Sequence, residues 1–249
     1  MALSVVEGSI WSFMAGFGDT CISAFAIFLK AGNHAVAFLC STPSRVGAFS
    51  QMIGASMTDR LGRRRDLIVP CSVIQALMFV PMIVLPFFFR SWAVPSVILC
   101  AALSIVFGHG AAPAWVSMMG DVAPENRRGD YFGRRGRMVI LMVFVATLMA
   151  GLVLFLCQKK GHIWAGFSCL FAVACVARLI SARLLALHYD PPYKPSPEAY
   201  FSLWDFLRQL PRSNFAKFTL YVALMMGAVN LAGPFFNVYM LRDLHWSYA

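Results

Sequence analysis

The chain has 249 residues, of which 59% are hydrophobic and 13% are charged. Soluble domains carry about 25% charged and about 45–50% apolar residues, so a water-soluble fold of this size could not bury so much apolar surface. The formal net charge of +10 does not indicate a nucleic-acid partner, because the basic residues lie in short clusters between apolar runs rather than in one stripe. The composition predicts an all-α, polytopic membrane protein whose surroundings are the lipid bilayer.

Seven apolar runs are each long enough to cross a hydrocarbon core of about 30 Å as a helix. In chain order the predicted spans are Ser9–Leu29, His34–Met57, Leu67–Phe89, Val94–Met119, Met138–Cys157, His162–Leu185 and Phe215–Leu241. We therefore expect a six-helix bundle over residues 1–186, a cytoplasmic central loop over 187–214, and a seventh helix over 215–249. This last segment would begin a second, incomplete bundle.

The central loop is the only long connection between predicted spans. Four prolines between residues 191 and 197 make its first part extended. The segment Phe201–Leu210 then shows the spacing of a short amphipathic helix on the cytoplasmic membrane surface. The alternative is an ordinary irregular loop.

Lys and Arg are concentrated in the loops that follow spans two, four and six. Cytoplasmic loops carry the excess of these residues, so the N-terminus is predicted to be cytoplasmic in a plasma or inner cell membrane.

Four polar side chains fall near the middle of predicted spans, where an ionisable group usually faces a bundle interior or a wet cavity. They are Asp19, Arg45, His109 and Asn230. Counted from the turn near Ala31 at 1.5 Å per residue, Asp19 and Arg45 lie about 18 and 21 Å deep. This match predicts an ion pair, either a substrate or coupling pair in a cavity or a structural pair between two helices.

Two helix faces in the predicted spans also carry small and polar residues. In span one, Ser12, Gly16, Asp19 and Ser23 form a small, polar stripe that suits either close helix packing or a water-facing wall. In span seven, Gly227, Asn230, Pro234 and Asn237 share a face, which makes Asn237 a further substrate candidate.

His109 could carry protons, but a neutral imidazole bonded to a neighbouring helix is the favoured interpretation. Arg178, close to the cytoplasmic end of span six, can extend to the interface and is given no functional role.

No residue pattern in the chain predicts catalysis, a metal site or a cofactor. The seven cysteines contain no Cys-x-x-Cys pair, and the chain has no HExxH or GxSxG motif. We therefore expect neither an enzyme nor a bound cofactor.

The loop after span two reads DRLGRRR over residues 59–65, which resembles the D-R-x-G-R-[RK] signature of the major facilitator superfamily. The family's glycine four residues before the aspartate is replaced by Ala55, with Gly54 one position away, and this shift predicts slightly weaker helix packing. The resemblance implies a cytoplasmic latch between two transporter halves; the alternative is a topology signal alone. The candidate gating residues are Asp59, Arg60, Gly62, Arg63 and Arg64. Asp59 at the end of span two can pair locally with Arg60 or Arg63, and Gly62 permits the tight turn of the loop.

Two further segments are similar to bacterial members of that family. The loop after span four matches P-x-x-x-R-G-x-x-x-G-R-R, and the segment 230–241 resembles the start of their second half. The residues of this second basic loop are Pro124, Arg128, Gly129, Gly133 and Arg134. Span four has no arginine and span five no Gly-Pro pair, so the resemblance does not extend to proton-coupled drug antiport.

These features together predict secondary active transport of a small solute by alternating access between two helical bundles. A seven-helix receptor-like or retinal protein is the first alternative, although the charge pattern opposes it and no lysine lies deep in span seven. A channel is the second. We also expect that residues 1–249 represent a partial chain, lacking a C-terminal half, that does not transport alone.

The charge pattern leads to a topological prediction. Single cysteines at positions 125 and 195 should react with a membrane-impermeant reagent only after permeabilisation, because both loops are predicted to be cytoplasmic. A cysteine at position 160 should react in intact cells. Labelling of position 160 only after permeabilisation would contradict this orientation.

Overall fold

The computed structural model describes residues 2–88, 92–192, 206–208, 210–240 and 244. Within these residues the regular secondary structure consists of helices. The long helices are α1 (Ala2–Phe17), α2 (Ile22–Phe28), α3 (Asn33–Leu61), α4 (Arg65–Leu77), α5 (Phe79–Phe88), α6 (Ala93–Val122), α7 (Arg128–Lys159), α8 (Ile163–Ala186) and α9 (Asn214–Val238). The predicted all-α fold is confirmed.

Five helical stretches in the described part of the chain are long and apolar enough to cross a membrane. They are Leu3–Phe28, Arg65–Leu85, Ala93–Val122, Glu125–Lys159 and Ile163–Ala186. These stretches correspond to predicted spans one, three, four, five and six, which confirms a multi-pass membrane protein.

Helices α3 and α9 coincide with predicted spans two and seven but are not among those five. With 29 and 25 residues they are about 43 and 37 Å long, sufficient to span a bilayer. Polar residues along α3, among them Arg45 and Gln51, lower its mean hydropathy. Its place in the bundle follows from its packing against α6.

The first span is broken in the middle. Helix α1 ends at Phe17, a 3₁₀ turn runs over Asp19–Cys21, and α2 begins at Ile22. Gly18 lies directly against the buried ring of Phe79, because a Cβ at this position would come within 2.6 Å of two ring carbons. The break therefore occurs where the first span contacts Phe79 of α5.

The third span is also divided, at Met78 between α4 and α5. Pro81 lacks the N–H that would bond the carbonyl of Leu77, so the helix is interrupted one turn before the proline.

An aromatic core joins the first, third and sixth spans. The ring of Phe25 lies 5.1 Å, centroid to centroid, from the rings of both Phe167 and Phe171. Phe79 stacks on Phe171 at 6.0 Å. Fully buried aromatic rings of this kind contribute much of the packing energy of a bundle.

Helix α9 differs from the other long helices in its exposure. Its described side chains are exposed except those of Ala216 and Val222, and its contacts with the rest of the structure are with α2 and α3.

The domain boundaries at residues 186 and 214 stay a prediction. Of the amphipathic segment 201–210, residues 206–208 are helical and residues 201–205 and 209 lie outside the described part of the chain.

The small-residue stripe of span one is a helix-packing surface in its first half. The Ser12 hydroxyl has one hydrogen, which it shares between the carbonyl of Gly8 at 2.7 Å and that of Val139 on α7 at 3.2 Å. A Cβ on Gly16 would come within 3.1 Å of the Val143 carbonyl oxygen. Of the two interpretations left open by the sequence, close packing against α7 holds for Ser12 and Gly16.

Two glycines of α3 bring it close to α6. Gly54 is buried on the backbone of Gly110, and a Cβ at Gly54 would overlap the carbonyl oxygen of Gly110. Gly47 lies under the His109 ring, where a Cβ would be 2.6 Å from Nδ1. The expectation of weaker packing is wrong, because Ala55 is exposed and the one-residue shift places the glycine on the side of α3 that faces α6.

This close contact makes Gly54 a test of the bundle. Gly54→Ala should lower the thermal unfolding midpoint of the detergent-purified protein, since overpacking a fitted contact costs about 1–3 kcal/mol. Gly133→Ala is the matched control, because no atom lies within 4 Å of a Cβ built there. Equal midpoints for the two variants would contradict the described contact between α3 and α6.

Candidate functional site

Three of the predicted substrate or coupling residues are exposed at mid-depth. Asp19 lies in the 3₁₀ turn, Arg45 in the middle of α3 and His109 in the middle of α6, and all three side chains are exposed in the described structure. Each lies at least about 13 Å from either end of its span at 1.5 Å per residue. Polar groups at this depth are costly in hydrocarbon, so each of these side chains requires water or another protein body beside it.

The predicted ion pair between Asp19 and Arg45 is wrong for this structure. Among the described residues, neither side chain forms a contact ion pair, and the charge that attracts Asp19 is Arg178 rather than Arg45. Arg45 lies across α3 from Gly47 and Gly54, which face α6, and the helix break after Phe17 changes the direction of Asp19. Equal depth is insufficient for pairing, because two helices must also turn those faces toward each other.

His109 contacts the neighbouring helix, as the favoured interpretation predicts. Its Nδ1 lies 3.4 Å from Nε2 of Gln51 on α3. This geometry suits a neutral imidazole whose Nδ1 accepts from the amide.

The two asparagines of span seven are not brought to a site by the described contacts. Asn230 is exposed, and its Nδ2 donates to the carbonyl of Met226 in the same helix at 2.8 Å. The side chain of Asn237 lies outside the described residues.

A buried polar cluster that the sequence analysis missed joins four helices. Its members are Glu7 of α1, Gln75 of α4, Arg135 of α7, and Arg178 and Ser181 of α8. The whole-residue exposure is 2% for Glu7 and 6% for Arg178. We call this set the Glu7 cluster.

The Glu7 carboxylate receives a hydrogen bond on each oxygen. Arg135 Nη2 donates to Oε2 at 3.2 Å, and the Ser181 hydroxyl donates to Oε1 at 2.8 Å. Arg178 Nη1 donates to the same Ser181 oxygen at 3.0 Å, and its Nε donates to Oε1 of Gln75 at 2.8 Å. One hydroxyl therefore connects the carboxylate to the second guanidinium, and such connected networks lower the cost of burying charge.

The interpretation of Arg178 as an interfacial side chain is wrong. Side chains on a helix lean toward its N-terminus, and α8 runs toward the cytoplasmic end of its span in the predicted topology. The guanidinium of Arg178 is therefore directed into the bundle, toward Gln75. Glu7 and Arg178 are isolated ionisable residues inside otherwise apolar runs, and this signal could have identified them.

Arg135 makes two further contacts. Its guanidinium carbon lies 4.2 Å from the centre of the Trp115 ring, a cation–π contact. Its Nε donates to the Ser4 carbonyl at 3.3 Å, and one turn earlier on α7 the Tyr131 hydroxyl donates to Ser4 Oγ at 2.6 Å. Two adjacent turns of α7, at Tyr131 and Arg135, thus bind Ser4 at the start of α1.

A cavity of about 240 Å³ opens beside the Glu7 cluster. Its wall includes the charged groups of Glu7, Arg135 and Arg178 and the rings of Trp11 and Trp115. The mid-depth residues Asp19, Arg45 and His109 do not contribute to its lining.

The signature loop connects the end of α3 to the start of α4 and contacts the end of α6. Gly62 ends α3 in the left-handed conformation with φ of 65°, and its N–H bonds the Thr58 carbonyl at 3.1 Å. The predicted role of Gly62 in the tight turn is confirmed. Arg64 is buried and forms an ion pair with Asp121 at the end of α6. Local pairing of Asp59 with Arg60 or Arg63 stays a prediction.

The same loop also contacts the end of α8. The Arg65 backbone N–H donates to Asp190 Oδ2 at 3.1 Å, and its Nη1 donates to the carbonyl of Ala186 at 3.2 Å. Burial lowers the pKa of the nearby His188 below its ordinary value of 6.5, so this imidazole is neutral at pH 7.

The second basic loop closes α6. Arg128 Nε donates to the carbonyl oxygens of Gly120 and Ala123 at 2.9 and 3.2 Å, satisfying acceptors that a helix end leaves open. Pro124 precedes the short turn at Glu125. Gly133 and Arg134 are exposed, and a Cβ on Gly129 would meet no neighbouring atom within 4 Å.

The Arg64 ion pair predicts a measurable loss of stability. Asp121→Asn removes a negative charge from beside a buried guanidinium, and we expect the free energy of unfolding to fall by about 1–3 kcal/mol. Glu125→Gln is the control, because its contact with Arg128 is long, 3.9 Å, and exposed, worth about 0–1 kcal/mol. A thermal shift comparison of the two purified variants measures the difference. A loss no greater for Asp121→Asn than for Glu125→Gln would contradict this role.

Comparison with known proteins gives a family for the chain. The family model described as Major Facilitator Superfamily matches residues 9–249. No curated protein matches the chain. The match spans all the elements described above from the second turn of α1 onward, including both basic loops. The chain belongs to the major facilitator superfamily.

Proposed function

We propose that the protein carries out secondary active transport of a small solute by alternating access in a plasma or inner cell membrane, with a cytoplasmic N-terminus. Membership of a transporter family supports the class of activity. The structural observation that carries the proposal is the exposure of Asp19, Arg45 and His109 at mid-depth.

Exposure of these groups to lipid would be unfavourable by several kcal/mol each. A carboxylate, a guanidinium and an imidazole on one body of a membrane protein are accommodated where water reaches them. A solute path between two bundles meets this requirement, since transporter sites lie near the bilayer midplane at the interface of two repeats.

In this proposal a second helical bundle covers the mid-depth polar groups and shields them from lipid. The described side chains of α9 are largely exposed, and α3 exposes Phe49, Met52 and Ile53 on the side away from its buried glycines. A second bundle against these helices would exclude lipid from the polar groups of the first. Asn230 on α9 would then lie between the two bundles.

The signature loop supports movement of the first bundle as one body. Arg64 and Arg65 connect the start of α4 to the ends of α6 and α8. Alternating access requires such rigid units, because the motion takes place between bundles rather than within them. Arg60 and Arg63 are exposed, and we expect them to contact the second bundle as the latch that the sequence resemblance implies.

Water accessibility of the mid-depth residues tests the proposal. In the full chain with its native cysteines replaced, Arg45→Cys and His109→Cys should react with a charged, impermeant thiol reagent in right-side-out or inside-out vesicles. The control is Leu148→Cys, since Leu148 is 59% exposed on the apolar α7. We expect the control to react at least about tenfold more slowly, because a thiol in hydrocarbon does not ionise.

Two outcomes would overturn the proposal. Equal, slow reaction at positions 45, 109 and 148 would show that the polar surface is dry. Ionic currents through planar bilayers containing the protein would instead indicate a channel.

A further inference from the structure

We propose that the cavity beside the Glu7 cluster binds a small organic monoanion, a carboxylate with an apolar or aromatic body. The proposal rests on the proposed function only in that such an anion would be the transported solute.

The charged groups of the cavity wall do not balance. Arg135 and Arg178 contribute two positive charges and Glu7 one negative charge. Burial lowers the pKa of His188, so this imidazole adds no positive charge at pH 7. Asp19 lies outside the lining but attracts Arg178, so the surplus of one positive charge is counted over the lining groups alone. An anion bound in the cavity would compensate it, since an uncompensated charge is unfavourable in a low-dielectric interior.

Both guanidinium groups keep donors for a ligand. A guanidinium has five N–H donors and no acceptor. Arg178 uses Nε and Nη1, and Arg135 uses Nε and Nη2, in the hydrogen bonds of the described structure. The remaining Nη2 of Arg178 and Nη1 of Arg135 match a carboxylate, whose two oxygens accept in a planar, charge-assisted arrangement.

The remaining wall is apolar and limits the ligand's size. Trp11, Trp115, Ile68 and Leu185 line the cavity. Its volume of about 240 Å³ holds about eight waters at roughly 30 Å³ each, which accommodates an acid of the size of benzoate. The tryptophan rings favour a flat or apolar body beside the charged end.

The cavity lies on one side of the membrane. Trp115, Arg135 and Arg178 are each roughly two helical turns from the end of their helix, on the side predicted to be cytoplasmic. Glu7 is in the second turn of α1. The cavity therefore lies toward the side of the bundle that is predicted to be cytoplasmic, and Asp19 and Arg45 are not part of its lining.

Ligand charge is the first test. The full chain, purified in detergent or nanodiscs, should bind benzoate saturably by calorimetry, with quenching of tryptophan fluorescence. Benzylamine and benzyl alcohol have similar bodies, and we expect both to bind at least about tenfold more weakly, because neither presents a carboxylate to the two guanidinium groups. Absence of saturable benzoate binding, or equal binding of benzylamine, would overturn the proposal.

Variants of the cavity wall provide the second test. Arg178→Gln should weaken benzoate binding at least about tenfold, whereas Arg183→Gln, an exposed position on the same helix, should not change it. Glu7→Gln preserves shape and raises the surplus positive charge by one, so benzoate should bind about tenfold more tightly. This increase is the decisive result if Arg178→Gln fails to fold, because a merely structural cluster would not produce it.

The failures of the two proposals can be told apart. Loss of benzoate binding with fast labelling at positions 45 and 109 would overturn the anion site and support transport. Benzoate binding that Arg183→Gln weakens as much as Arg178→Gln would also overturn the site. Saturable, Arg178-dependent binding with a dry mid-depth surface would support the anion site and overturn alternating access.

Discussion

Burial of charge in an apolar bundle is the constraint on which the structure depends. Glu7 cannot lie alone in a membrane-spanning helix without a cost of several kcal/mol. Arg135 and the hydroxyl of Ser181 satisfy its two oxygens, and Ser181 in turn contacts Arg178. Because these groups come from different helices, α1, α7 and α8 must meet at one place, and Gln75 adds α4.

Close backbone contact complements this electrostatic constraint. Gly16 allows α1 to approach α7, and Gly54 allows α3 to approach α6. In lipid, where hydrophobic burial does not drive helices together, small residues and interhelical hydrogen bonds have this role. The arginines of the signature loop then connect the ends of α4, α6 and α8, so the bundle is suited to move as one body.

The polar groups of the bundle divide into two kinds with different consequences. Those of the Glu7 cluster are buried and hydrogen-bonded, with positive charge in excess beside a cavity. Asp19, Arg45 and His109 are exposed at mid-depth. The first kind stabilises the fold and leaves donors for an anion, whereas the second requires a wet surface, which is what transport between two bundles needs.

The sequence by itself determined the membrane class, the positions of five of the seven predicted spans, the turn at Gly62 and the family resemblance. Each of these depends on hydropathy or on a few adjacent residues. The partners of the buried charges depended on the tertiary structure, because helix rotation and tilt decide which faces meet. The break at Gly18 separated Asp19 from Arg45, and Gly54 rather than Ala55 faced α6. Arg178 is directed away from the interface because side chains lean toward the N-terminus of their helix. Only the packed bundle brought Gln75 and Ser181 within reach of its guanidinium.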